Sequence, residues 1–90
     1  MRISERKRIT IASSTGVVRG ERISYRLIRE TGMRPIYGIR INIGKDEIER
    51  AISSDIKEAA VFYDRIVRNL VTPNTLDDII EDFFGKYCAK

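Results

Sequence analysis

Histidine and tryptophan are absent from this sequence, cysteine occurs once, and proline only twice. Without histidine, the side chain that most often shuttles protons or ligates transition metals near neutral pH is missing, which removes most acid–base and zinc chemistry. A single cysteine, Cys88, forbids an intrachain disulfide, and a chain that needs none suits a reducing cytoplasm. Cys88 reads as a helix-end thiol, because a nucleophilic thiol needs a base or a positive environment to lower its pKa. Long hydrophobic runs are also missing. Arg2, Arg6, Lys7 and Arg8 resemble the charged start of an export signal, yet no apolar stretch follows them. The longest such stretch, Ala59 to Tyr63, is far short of the roughly 20 residues that span a bilayer. The expectation is a cytoplasmic protein, neither exported by that route nor inserted in a membrane.

What is present belongs to one ordered domain. In 90 residues, 42% apolar and 33% charged, there is material for one hydrophobic core and little room beside it for a deep substrate pocket. Eleven of the fifteen isoleucines lie at or before Ile52, where β-branching favours extended chain. Lys7 to Ala12 alternates, with Ile9 and Ile11 on one side and Arg8 and Thr10 on the other. Glu21 to Glu30 does so more clearly, setting Ile23, Tyr25 and Leu27 against Arg22, Ser24 and Arg26. Ser13 to Gly16 and Arg19-Gly20 read as a loop or irregular hairpin between these strands. Thr31 to Pro35 breaks the second strand. A third, Ile36 to Ile43, turns Tyr37, Ile39, Ile41 and Ile43 to one face, with Gly38 marking a bulge or a close backbone approach. Gly44-Lys45-Asp46 fits a short hairpin loop. Glu47 to Ser53 then pairs back as a fourth strand with Ile48 and Ile52 inward, or else begins a helix.

Beyond residue 53 the hydrophobic period changes from two to about 3.6. Asp55 with Glu58 has the spacing of a reciprocal helix cap, followed by the stripe Ile56, Ala59, Ala60, Tyr63, Ile66, Val67 and Leu70. Asp64 and Arg68 support its exposed side. Thr72-Pro73-Asn74 stops this helix at about residue 71, and Thr75 with Asp78 caps a second one over about 75–88. Its stripe is Leu76, Ile79, Ile80, Phe83, Phe84 and Tyr87, weakened by Gly85, and Asp77 and Asp78 fall in its first turn. The predicted architecture is α+β and two-layered: an antiparallel meander of three or four strands, with two antiparallel helices on one face.

Charge is distributed unevenly. Residues 1–40 carry ten basic and three acidic side chains, residues 41–90 seven basic and ten acidic. On the strand reading Arg8, Arg22, Arg26 and Arg40 all lie opposite the apolar face with Thr10, Ser24 and Asn42, a basic surface that could attract phosphates. Set against nucleic-acid binding, Glu47 and Glu49 offset part of that charge, and Tyr25 and Tyr37 fall on the core side, leaving no ring to stack on bases. Asp77, Asp78, Glu81 and Asp82 would repel DNA from the second helix. Asp77-Asp78-Ile79-Ile80-Glu81 resembles the Asp-rich magnesium motif of prenyl-transferring enzymes, but that motif serves a large helical cavity this chain cannot enclose. Neither a Walker A nor a G-x-G-x-x-G spacing occurs. No cofactor, metal or catalytic residue is expected.

Tyr37-Gly38-Ile39, then Ile52-Ser53-Ser54-Asp55, then Pro73 followed by Leu76 to Phe83, resemble a family of small proteins of spore-forming Gram-positive bacteria, a domain of unknown function. The resemblance covers most of the chain after Glu21 and implies a bacterial cytoplasmic protein. It brings no activity with it. The expectation is a non-enzymatic binding or regulatory module acting through protein contacts, as a homodimer, since a meander leaves two edges that a second copy can protect. Nucleic-acid binding through the basic sheet face is the alternative.

Overall fold

A computed structural model describes residues 7–84. Four strands form an antiparallel meander in the order β1-β2-β3-β4: β1 (Arg8–Val18), β2 (Glu21–Glu30), β3 (Ile36–Ile43) and β4 (Asp46–Ser53). Two helices follow, α1 (Ile56–Arg68) and α2 (Pro73–Phe84), both packed against one face of the sheet. The predicted Cys88, Gly85 and Tyr87 features lie outside the described residues.

The two inner strands carry the core. Ile23, Tyr25 and Leu27 from β2 and Tyr37, Ile39 and Ile41 from β3 are all buried, as strict alternation requires when one face is covered. Against them α1 lays Ala59, Phe62, Tyr63 and Ile66, and α2 lays Leu76. Ile48 and Ile52 of β4 are half-buried beside this cluster, so the fourth-strand reading holds and the helical one does not. Tyr25 is fully buried, and its hydroxyl donates to the Val71 carbonyl at 3.0 Å, pinning the α1–α2 junction to the sheet. Burial pushes this phenol up to about 12.

The first strand departs from its expected pattern. It runs to Val18, so Ser13 to Gly16 belongs to the strand, and only Arg19-Gly20 turns, both with positive φ as a tight two-residue hairpin needs. A bulge between Thr10 and Ala12 inserts Ile11 as an extra residue. Beyond it the helix side is lined by Ala12, Ser14, Gly16 and Val18, while Ile9 and Ile11, expected to be inward, are 45% and 40% exposed. Small residues fit there because α1 lies close above them. The Tyr63 hydroxyl donates to Ser14 Oγ at 2.9 Å, and a Cβ on Gly16 would come within 2.7 Å of Leu70 Cδ2.

Helix ends also differ from the expected caps. Asp55 does cap α1, accepting from the Lys57 amide at 2.9 Å, but Glu58 does not return the bond. Ser53 Oγ instead accepts from the Asp55 amide and donates to Glu58 at 2.7 Å, inserting a hydroxyl into the relay. The far end closes earlier than expected, at Arg68. Leu70 takes φ 48°, Val71 N–H bonds the Ile66 carbonyl, and Leu70 N–H bonds that of Val67, which is a Schellman cap with leucine in the left-handed place glycine usually fills. Pro73 does not stop a helix but starts α2. Its missing N–H is no loss at a first helical position, and the Thr75 amide bonds the Thr72 carbonyl behind it. The earlier start moves Asp77 and Asp78 out of the first turn. Ile56, Ala60 and Leu70 are exposed, whereas Phe62, missing from the expected stripe, is fully buried and meets the rings of Phe83 and Phe84 at 5.0 and 5.3 Å.

Gly38 satisfies both roles proposed for it. A register shift sits between Tyr37 and Gly38, and a Cβ there would stand 2.9 Å from the Arg50 carbonyl oxygen. Because backbone cannot yield as a side-chain tip can, Gly38→Ala is expected to lose about 1–3 kcal/mol in urea denaturation. Gly16→Ala, whose one tight contact is the side-chain end of Leu70, should lose clearly less. Tyr25 predicts a second effect, in alkali. Below pH 10 both folded and unfolded chains hold its proton, so it adds no pH dependence. Above pH 10 the unfolded chain releases the proton while the fold retains it until about 12, so stability falls across that window. Subtracting the alkaline denaturation profile of Tyr25→Phe from that of the wild type should leave this fall, and parallel profiles would contradict it.

Candidate functional site

The sheet face turned away from the helices is where the sequence places its candidate surface. Arg8, Arg22, Arg26 and Arg40 all stand on this open face, with Ser13, Thr15, Ser24 and Asn42 between them. The structure divides the four arginines into two pairs. Arg40 bridges to Glu47 and, at 3.9 Å, to Glu49, its cross-strand neighbour. Arg8 reaches from β1 across the sheet to Glu49 on β4. Beneath the Arg8–Glu49 bridge lies a small hollow, with Gly38 among its lining residues.

Ile28 forms the floor of that hollow and is only 6% exposed although it lies on the uncovered face. Ile36, Gly38 and Ala51 complete the lining with Arg8, Glu30 and Glu49. Its free volume of about 40 Å³ has room for a few water molecules. A small substrate needs several hundred. The arginine stem lies over an apolar floor while its charged head meets a carboxylate, a common way for this side chain to cover apolar surface.

Arg22 and Arg26, at the other end of the face near the β1–β2 hairpin, are exposed and make no ion pair with any described residue. Ser13 lies opposite Arg26 and Val17 opposite Arg22 on β1, and Arg40 lies opposite Arg26 on β3. The open face is thus neutralised at one end and positive at the other. Tyr25 and Tyr37 are buried on the helix side, so among the described residues no aromatic ring accompanies these two arginines.

One ion pair went unforeseen in the sequence. Arg50 grips Asp77 with two bonds, Nε to Oδ1 at 2.9 Å and a terminal nitrogen to Oδ2 at 3.2 Å, tying β4 to α2. No sequence signal joins residues 27 apart in this way, and both carboxylate oxygens of Asp77 are engaged in this clasp. Among the described residues no group of three or more His, Cys, Asp or Glu could hold a metal ion. No helix is long and apolar enough to cross a membrane.

A family of unknown function, DUF6514, matches residues 6–86. The chain belongs to that family. The matched span takes in all four strands and both helices, so the resemblance carried by Tyr37-Gly38-Ile39 and the later segments extends to β1 as well. The DUF6514 description assigns no activity, and no curated protein or solved structure matches the chain.

The division of the arginines can be tested. Log affinity for duplex DNA against log salt should fall with a slope of about 1.8 if Arg22 and Arg26 supply the phosphate contacts. In Glu47→Gln/Glu49→Gln, which releases Arg8 and Arg40, the slope should steepen to about 3.6. Because these bridges are partly exposed, the double variant should lose no more than about 1–2 kcal/mol of stability.

Proposed function

We propose that the domain is a non-enzymatic binding module that works through protein contacts, with the hairpin end of its open sheet face as a contact surface for an acidic partner. The observation that carries this reading is the split of the arginines. Glu47 and Glu49 hold Arg40 and Arg8, while Arg22 and Arg26 stand exposed among hydroxyl groups with no described carboxylate bound to them. Two free guanidinium groups on a rigid strand suit bidentate bonding to carboxylates.

The nucleic-acid reading needs a broader positive surface than two residues provide, and it needs exposed rings for single strands. An enzymatic reading needs an enclosed site; the hollow beneath Arg8 is far smaller than a substrate pocket, and the larger grooves beside Pro73 and Asn74, about 400 and 640 Å³, lie open to solvent. A cytoplasmic setting in a bacterium is consistent with the lone Cys88 and with the resemblance to proteins of spore-formers.

Fluorescence anisotropy with a labelled peptide of alternating Glu and Asp tests the surface. Arg22→Glu/Arg26→Glu should weaken binding tenfold or more. Lys45→Glu/Lys57→Glu, which changes net charge equally at other places, should change it less than threefold. Equal losses in both variants would reduce the effect to net charge and overturn the assignment. Tighter binding of duplex DNA than of the peptide would favour the nucleic-acid alternative.

A further inference from the structure

The two edges of the sheet are defended very differently. β4 carries Asp46, Glu47, Glu49 and Arg50 in eight residues and has a bulge near Ser53, the charges and irregularity by which proteins discourage pairing at an edge. β1 has none of this along most of its length. From Ile9 to Val18 it has no charged residue and no proline, and beyond the bulge at Ile11 the stretch Ala12–Val18 pairs with β2 in unbroken register. No described strand pairs with its outer side.

Apolar groups flank this bare edge on both faces. Val17 is 63% exposed on the open face. Leu70, 41% exposed, leans over Gly16 on the helix face. A bare edge of seven residues with apolar margins is a template for another strand.

We infer that β1 is the seam of a homodimer, in which Ala12–Val18 pairs antiparallel with the same segment of a second copy about a two-fold axis near Thr15. Antiparallel pairing of one segment with itself is self-complementary and closes on two copies, leaving the guarded β4 strands as the outer edges of an eight-stranded sheet. Opposed residues of an antiparallel pair point to the same face, so the helices of both copies lie on one side of the joined sheet, with α1 over each β1 beside the seam. Arg26 of one copy stands three strand spacings from Arg22 of the other, about 14 Å. That exceeds the Debye length of about 8 Å at physiological salt, so the arginines do not hold the copies apart. This inference rests on the reading that the domain works through protein contacts and names a second copy as one such contact, at a place distinct from Arg22 and Arg26.

Thr15→Lys tests it, because the axis would set two lysines directly opposite one another, while within one copy Thr15 faces only Ser24. Light scattering after size exclusion should give twice the 10.4 kDa chain mass for the wild type and the chain mass for Thr15→Lys, with circular dichroism unchanged. Hydrogen exchange should show concentration-dependent protection of β1 amides and none in β4. A strict monomer at several hundred micromolar, or a dimer untouched by Thr15→Lys with protection confined to β4 or the helices, overturns the seam. Peptide binding that still depends on Arg22 and Arg26 in a monomeric chain would sink the dimer alone, whereas its loss with the dimer intact would sink only the acidic-partner reading.

Discussion

The alternation of β2 and β3 is the constraint on which the rest of this fold depends. Six large side chains point to one side of two neighbouring strands, and only a layer of helix can cover them in so short a chain. Phe62, Ile66 and Leu76 supply that layer. With the helices committed to one side, the other side of the sheet stays uncovered, and the outer strands become edges. Charge balance on the open face and the contrast between β1 and β4 follow from this one-sided arrangement.

Two irregularities adjust the sheet to its cover. The bulge at Ile11 changes which residues of β1 face inward, exchanging isoleucines for Ala12, Ser14 and Gly16 where α1 comes close. The second register shift, beside Gly38, brings the Arg50–Ala51 backbone against β3, next to the hollow that Arg8 bridges. One missing side chain therefore permits the close packing of β4.

How far the sequence could be read follows from these details. β2, β3 and the change of period near residue 53 were legible because large apolar residues sit at regular intervals with polar ones between them. β1 was legible only as far as Ala12, since a bulge shifts its phase and the inward residues beyond it are small ones that read as loop. The phase of α1 was ambiguous for a different reason. Val61, Phe62 and Tyr63 put apolar groups on several sides, and only contact with Phe83 and Phe84 selects Phe62 for the core. Pro73 was ambiguous too, as the same residue ends one helix or begins the next. Alternation puts the four arginines on one side of the sheet, but their division into bound and free pairs depends on the reach of Arg8 across to Glu49, which is a matter of three dimensions.

The aromatic cluster sets a lower limit on how much of α2 the domain can spare. Phe83 and Phe84 meet each other at 4.8 Å and both meet Phe62, while Arg65 lies over the Phe83 ring at 4.9 Å. These rings sit in the last turn of the described helix, so the lid of the core is fastened at its tip as well as at the Arg50–Asp77 clasp near its base. Trimming the chain back past residue 83 would unroof a phenylalanine that no other element can shelter.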